Sequence, residues 1–156
     1  MLSFKVMGCT IPKVASTSIH RTFNKLRVRL DGAYNHDFKI NSLEKLQQNR
    51  TQYKTFIIVR EPMERLASCY NDKFVVNLNS ELEIWRKKIK INAIRILGET
   101  LTSYNTSQVS FKEFLVGGVL HGPNNKHWNP YYELCAPCIM NYDFIGRIDE
   151  INVIIK

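Results

Sequence analysis

Two short apolar runs in this chain each end in a proline-bearing turn and give way to a helical stripe. The first run is Phe4 to Cys9, bounded by Thr10 and Pro12; the second is Thr55 to Val59, TFIIV, followed by Pro62. Short apolar runs without polar alternation suit strands buried on both faces. After the first, Ile19, Phe23, Leu26 and Leu30 recur at spacings of four, three and four. That is one face of a helix, which Asp31-Gly32 would end. After the second, Met63, Leu66, Tyr70 and Phe74 repeat at helical spacing. Pro62 stands at that helix start, where its fixed φ and missing N–H are tolerated. Strand, loop, helix, strand, loop, helix predicts an α/β domain with a central parallel sheet flanked by helices.

The rest of the chain adds elements but no second pattern. Leu82, Trp85, Ile89, Ala93 and Ile96 form another helical stripe, with Arg86, Lys87, Lys88 and Lys90 mostly off it. Phe111 to Val116 reads as a short helix, opened by a capping box of Ser110 and Glu113. Residues 32–50 read as loop plus a short helix, and Asn124 to Cys138 reads as loop. Tyr142 to Ile145, YDFI, is a third strand, closed by Gly146. The 156 residues amount to one domain, long enough to bury a core. No apolar run approaches the ~20 residues of a membrane span, and the opening MLSFKVMGCT lacks the pattern of a signal peptide.

Charge narrows the partner. Lys and Arg number 22 against 14 Asp and Glu, a net charge of +8. Such a balance favours an anionic partner, whether nucleotide, nucleic acid, acidic glycan or anionic lipid. No RNP, zinc-finger or helix-turn-helix signature is present, so nucleic acid has no support. Of the four cysteines, Cys135 and Cys138 form a C-x-x-C. Zinc would need a second such pair or suitably spaced histidines, and His127 lies eight residues before Cys135, not a finger spacing. A disulfide suits a secretory chain better. The sequons at Asn49-Arg50-Thr51 and Asn105-Thr106-Ser107 point weakly the same way.

The turn after the first strand, PKVASTS, has the makings of an anion site. A strand turning through small residues into a helix brings free N–H groups and a positive helix end to one point. Lys13 adds a point charge, Ser16, Thr17 and Ser18 add hydroxyls, and Ala15 allows close backbone approach. A plain capped helix with Ser16 or Thr17 as N-cap reads equally well here. A Walker A loop does not: that motif needs G-x-x-x-x-G-K-[ST], and Val14 follows the lysine. The second turn is similar. Arg60 ends the strand and Ser68 follows eight residues later, about two helical turns on. Both could grip one phosphate, with Arg65 and Lys73 adding charge nearby. Alternatively Arg60 pairs with Glu61 or Glu64.

Here the chain resembles a known family. PKVASTS looks like the 5′-phosphosulfate loop of sulfotransferases, and FIIVREPMERLASCYNDKF looks like their 3′-phosphate stretch. The form of the latter is similar to the Golgi carbohydrate sulfotransferases of the chondroitin 4-O- and HNK-1-type group. HWNPYYELCAPCIMNYDFIGRIDE resembles a third segment of that group, except that Glu150 stands where Thr or Ser is usual. Ser16 and Ser18 likewise replace the family's usual Cys and Asn while keeping small polar groups.

The resemblance implies a P-loop-like α/β fold and the donor 3′-phosphoadenosine 5′-phosphosulfate (PAPS), with no metal expected. It implies that Pro12, Lys13, Val14, Ala15, Ser16, Thr17 and Ser18 bind the 5′-phosphosulfate end. Arg60 and Ser68 would hold the 3′-phosphate. Lys13 would neutralise charge on the bridging oxygen in transfer to a carbohydrate hydroxyl. A general base is needed, from His20, His36, His121, His127 or Glu61. His127, beside Trp128 in the third segment, is preferred because histidine titrates near neutral pH. The acceptor would be a carbohydrate in the Golgi lumen, an anionic, chondroitin-like glycosaminoglycan or a glycoprotein glycan, with Cys135 and Cys138 oxidised with some partner. The basic run at Arg86 to Lys90 could attract that glycan, or be the wet face of its helix. The family carries an N-terminal membrane anchor and extends past the YDFIG segment, so the expectation is a single sulfotransferase domain, 1–156, that is partial. The alternatives are a P-loop nucleotide kinase or hydrolase, and a non-catalytic module that binds anionic glycans.

Overall fold

The computed structural model of the chain describes residues 5–9, 11–25, 30–31, 53–76, 82–98 and 108–150. In chain order its elements are β1 (Lys5–Cys9), α1 (Ser16–Lys25), β2 (Leu30–Asp31), β3 (Tyr53–Val59), α2 (Pro62–Tyr70), α3 (Glu83–Leu97), α4 (Phe111–Glu113), α5 (Tyr131–Cys135) and β4 (Phe144–Arg147). α2 runs on into a π-helical segment, Asn71–Val76, and α4 into another, Phe114–Leu120. The chain forms two compact units, residues 1–61 with 129–156, and residues 62–128.

The first unit holds a four-stranded sheet in the order β2-β1-β3-β4, with every pair parallel. The parallel α/β architecture expected from the two apolar runs is therefore present. β1 and β3 pair over five residues, from Lys5 opposite Tyr53 to Cys9 opposite Ile57. Gly8 lies opposite Phe56, whose ring occupies the space a Cβ on Gly8 would need. Phe23 of α1 stacks on the same ring at 5.4 Å. Cys9, Ile11, Val14, Phe56, Ile57, Ile58 and Cys135 form the buried core.

Three expectations change here. The stripe through Leu30 is not one helix: α1 ends at Lys25, and Leu30–Asp31 pairs with Val6 and Met7 as a short edge strand. A β-branched or leucine residue after a helix serves either element, and only the neighbouring strand decides. Tyr131–Cys135 is a helical turn rather than loop, preceded by Pro130 in extended conformation. Gly146 does not close the last strand but lies inside it, opposite Ile58. Leu26, residues 32–50, His36 and both sequons lie outside the described residues.

Two devices join the third sequence segment to the sheet. Cys9 and Cys135 form a disulfide across a sequence separation of 126. Cys138 is exposed and carries a free thiol, so of the C-x-x-C pair only Cys135 is oxidised, with a partner outside the motif. Tyr142 donates its hydroxyl to the Cys135 carbonyl at 2.8 Å, and burial pushes that hydroxyl's pKa up to about 12. Asp143 clamps β3 at the start of β4. Its carboxylate accepts from the Thr55 N–H and hydroxyl, both at 2.9 Å, and from Lys54 Nζ at 3.0 Å. The Thr55 hydroxyl in turn accepts from the Asp143 N–H at 3.1 Å.

The second unit is helical. Cys69, Phe74, Ile89, Val109, Phe114 and Trp128 form its core, ringed by Leu66, Tyr70, Trp85, Phe111, Leu115 and Val119. Phe114 packs edge-on against Trp128 at 5.6 Å, and Trp85 does so against the same indole at 5.8 Å. Gly117 lets the segment after α4 close on α3, since a Cβ there would collide with the Ile89 carbonyl. The Ser110–Glu113 capping box is present. Among the described residues no helix is long and apolar enough to cross a membrane.

Removing the disulfide, by Cys9→Ser with Cys135→Ser or by reductant, is expected to cost about 2–5 kcal/mol in denaturant unfolding, because it closes a long loop. Thr55 N–H, Lys54 and the Thr55 hydroxyl hold the Asp143 carboxyl well below the usual carboxylate range. A group depressed on folding stabilises the native state above its unfolded pKa of about 4 and loses that contribution as pH falls toward the folded value. Urea midpoints should therefore decline below about pH 4. Asp143→Asn should flatten that decline; an unaltered profile would remove Asp143 from the account.

Candidate functional site

The site in the first unit is built by the turn between β1 and α1. Ile11 and Val14 are fully buried and anchor the turn in the core. Between and after them the backbone is forced left-handed: φ is 73° at Lys13 and 58° at Ala15. Left-handed φ at residues bearing a Cβ costs roughly 1 kcal/mol or more each and persists where the surroundings demand it. Here two buried anchors alternate with two outward-lying residues, which leaves Lys13 half-buried and Ala15 exposed. α1 starts at Ser16, and its first helical bond runs from the Ile19 N–H to the Ala15 carbonyl at 3.0 Å. Ala15 thus takes the position before the helix, and neither Ser16 nor Thr17 is the N-cap. Both stand in the first turn, where α-helical N–H groups lack intrahelical acceptors. No acidic side chain occupies that turn. Ala15 and Ser18 also line a groove of about 800 Å³, together with Val6, Phe56 and Ile58.

Arg60 follows β3 directly. Its guanidinium Nη1 donates to the Lys13 carbonyl at 3.4 Å. Its main chain is held by one side chain, Tyr131: the hydroxyl accepts from the Arg60 N–H at 2.9 Å and donates to the Arg60 carbonyl at 2.7 Å. The structure thus brings Pro12 to Ser18 together with Arg60. Tyr131 escapes a reading of the sequence because its segment has the composition of a loop, and nothing local links it to a residue 71 positions earlier.

Ser68 and His127 belong to the second unit. Ser68 is half-buried on α2. His127 is half-buried in the turn before Trp128, its N–H donating to Asn125 Oδ1 at 3.0 Å. Arg65, expected to add surface charge, is instead buried, and its Nη2 donates to the Lys126 carbonyl at 3.1 Å. It braces the His127 turn against α2, a role that sequence spacing could not reveal.

Of the other basic residues, Lys87 and Lys88 are exposed on α3, as the wet-face reading expects, and Arg86 departs from it. Arg86 is buried and donates to the Lys73 carbonyl at 3.2 Å, so it is not on the wet face of α3. Lys87 pairs with Glu83 at 2.8 Å, Lys88 lies over the Trp85 ring at 5.9 Å, and Lys90 donates to the Gln108 carbonyl at 3.0 Å. The run is tied into the second unit's own structure. His20, one of the candidate bases, is buried in α1. Among the described residues no group of histidines, cysteines and carboxylates could hold a metal ion.

The profile of the sulfotransferase family matches residues 3–153. The chain belongs to that family. Among curated proteins, the sulfotransferase chain is similar to carbohydrate sulfotransferase 11 of Danio rerio, at 30% identity over 97% of this chain and 50% of the relative. It is 33% identical to human carbohydrate sulfotransferase 10 over 95% of this chain and 47% of the relative. Human carbohydrate sulfotransferase 14 matches at 30% over 96% and 42%. The chain therefore spans half or less of the length of these relatives. No solved structure matches it significantly.

Because Arg65 is buried and donates to the Lys126 carbonyl, Arg65→Ala is expected to lower stability by about 2 kcal/mol or more. Thermal unfolding followed by tryptophan fluorescence checks this; an unchanged midpoint would sink the bracing role.

Proposed function

We propose that the chain is the donor-binding part of a PAPS-dependent carbohydrate O-sulfotransferase, on a P-loop-like α/β fold, in a single sulfotransferase domain of a longer protein. The observation that carries the reading is the Arg60–Lys13 bond, which ties the stretch resembling the 3′-phosphate site to the stretch resembling the phosphosulfate loop. Family membership and the names of the relatives support the reaction class. The residues suit such a donor: a lysine on a turn held by buried anchors, hydroxyls in the first turn of a helix without acidic residues, and an arginine at the adjoining strand end.

PAPS, when bound, supplies a sulfuryl group on a phosphate leaving group. In this reading Pro12, Val14 and Ala15 shape the turn, and Ser16, Thr17 and Ser18 present N–H and hydroxyl donors to the 5′ end. Lys13 would neutralise the charge left on the donor's bridging oxygen when the sulfuryl group passes to the acceptor, the kind of stabilisation that acts mainly in the transition state. Arg60 grips the 3′-phosphate with the forked donors that suit phosphate, and Ser68 is the second residue the resemblance assigns to that phosphate. His127 takes the proton from the acceptor hydroxyl. The acceptor is an anionic, chondroitin-like glycan, and the compartment is the Golgi lumen, where the membrane anchor implied by the resemblance would hold the longer protein. The disulfide agrees with an oxidising compartment. The nucleotide-kinase reading is weaker because the residue after Lys13 is a fully buried valine, where a Walker loop has a hydroxyl.

Thermal stabilisation by 3′-phosphoadenosine 5′-phosphate should exceed that by 5′-AMP or ATP. Equal responses would overturn the donor assignment. Arg60→Ala should abolish the preference. Lys13→Ala should lower kcat by about 10²–10³-fold while changing nucleotide affinity far less. The reverse pattern would refute the role of Lys13.

A further inference from the structure

Tyr131 holds Arg60 just past the end of β3. β4 pairs with β3 as far as Val59 opposite Arg147. The next residue is Arg60, where β3 has ended. A strand end that projects past its ladder has main-chain groups to satisfy and dihedrals to fix. The Tyr131 hydroxyl meets both needs at once, accepting from the Arg60 N–H at 2.9 Å and donating to its carbonyl at 2.7 Å. A phenol is well suited, since one oxygen both accepts and donates and the rigid ring reaches from a separate element. That element, α5, is fixed in turn by the Cys9–Cys135 disulfide at its far end.

The consequence falls on the side chain. Fixing the φ and ψ of Arg60 fixes where its Cβ points, and so which rotamers bring the guanidinium to the Lys13 carbonyl at 3.4 Å. Lys13 is held at a left-handed φ, so a donor on its carbonyl also braces the turn. A continuous chain of contacts therefore runs from Tyr131 through Arg60 to Lys13. We propose that Tyr131 is a positioning residue of the donor site, its hydroxyl pinning the Arg60 main chain so that the guanidinium is pre-set for the 3′-phosphate. The proposal rests on the PAPS reading and would be specific to nucleotides with a phosphate at the 3′ position. Tyr131 touches no ligand in this scheme; it acts through Arg60.

Tyr131→Phe tests it, because the ring remains and only the oxygen is lost. Affinities for 3′-phosphoadenosine 5′-phosphate and for 5′-AMP are measured by calorimetry on the full chain, for wild type, Tyr131→Phe, Arg60→Ala and the double variant. Tyr131→Phe is expected to weaken the 3′-phosphorylated ligand about 3- to 10-fold, the loss of one or two hydrogen bonds' worth of alignment, and to leave 5′-AMP unchanged. In the Arg60→Ala background the same change should have no further effect on 3′-phosphate selectivity, since the residue acted upon is gone. Equal weakening of both ligands would mark Tyr131 as merely structural and overturn the proposal. So would undiminished selectivity in Tyr131→Phe, or additive losses in the double variant. A wild type without 3′-phosphate selectivity would instead overturn the donor reading itself. Should Tyr131→Phe prove too unstable for calorimetry, the rise in its thermal midpoint with each of the two ligands takes its place: selectivity lost with the 5′-AMP response kept supports the proposal, and selectivity retained, or both responses lowered equally, overturns it.

Discussion

The parallel pairing of β1 with β3 is the constraint on which the rest depends. Parallel strands end at the same edge of a sheet, and the register from Lys5–Tyr53 to Cys9–Ile57 sets both ends side by side. The segment leaving β1 must then lie next to the segment leaving β3. The former is the Ile11–Ala15 turn and the latter begins with Arg60, and the Arg60–Lys13 bond is the direct result. An antiparallel pairing of the same two strands would send these turns to opposite edges and leave no common site.

The turn is held by opposing demands. Ile11 and Val14 are drawn into the core, and the two residues at left-handed φ absorb the resulting twist. Non-glycine residues in that region mark positions where the surroundings over-determine the backbone. α5 contributes from outside the sheet: Cys135 at its end locks to Cys9 just before the turn, and Tyr131 at its start locks Arg60 just after β3. One helical turn thus fastens both strand ends, which explains why a short segment far along the chain carries so much of the geometry. Further along the chain, Asp143 and Thr55 secure β4 to β3.

Much of this is legible in the sequence. Buried parallel strands write themselves as continuous apolar runs, and both Thr55–Val59 and Phe4–Cys9 are such runs. The Ser110–Glu113 box is a local chemical pattern and reads directly. Leu30 misleads because helical spacing continues by chance into a two-residue strand, which only its partners Val6 and Met7 create. Arg65 and Arg86 mislead because charge suggests exposure, whereas a long guanidinium stem can be buried when its head finds a carbonyl.

By itself the sequence determined the types of the main elements, Leu30–Asp31 and Tyr131–Cys135 excepted, the direction of the sheet, and the presence of a lysine-bearing turn before a helix and an arginine after a strand. These depend on neighbours within a few residues, where periodicity, proline geometry and hydroxyl placement act. Only the tertiary structure decided that Cys9 pairs with Cys135 and leaves Cys138 reduced, that Ala15 precedes the helix in place of a serine cap, and that Tyr131 meets Arg60. Each of those is a contact between residues brought together by the register of the sheet or by the burial of its turns, and neither is encoded at any one position.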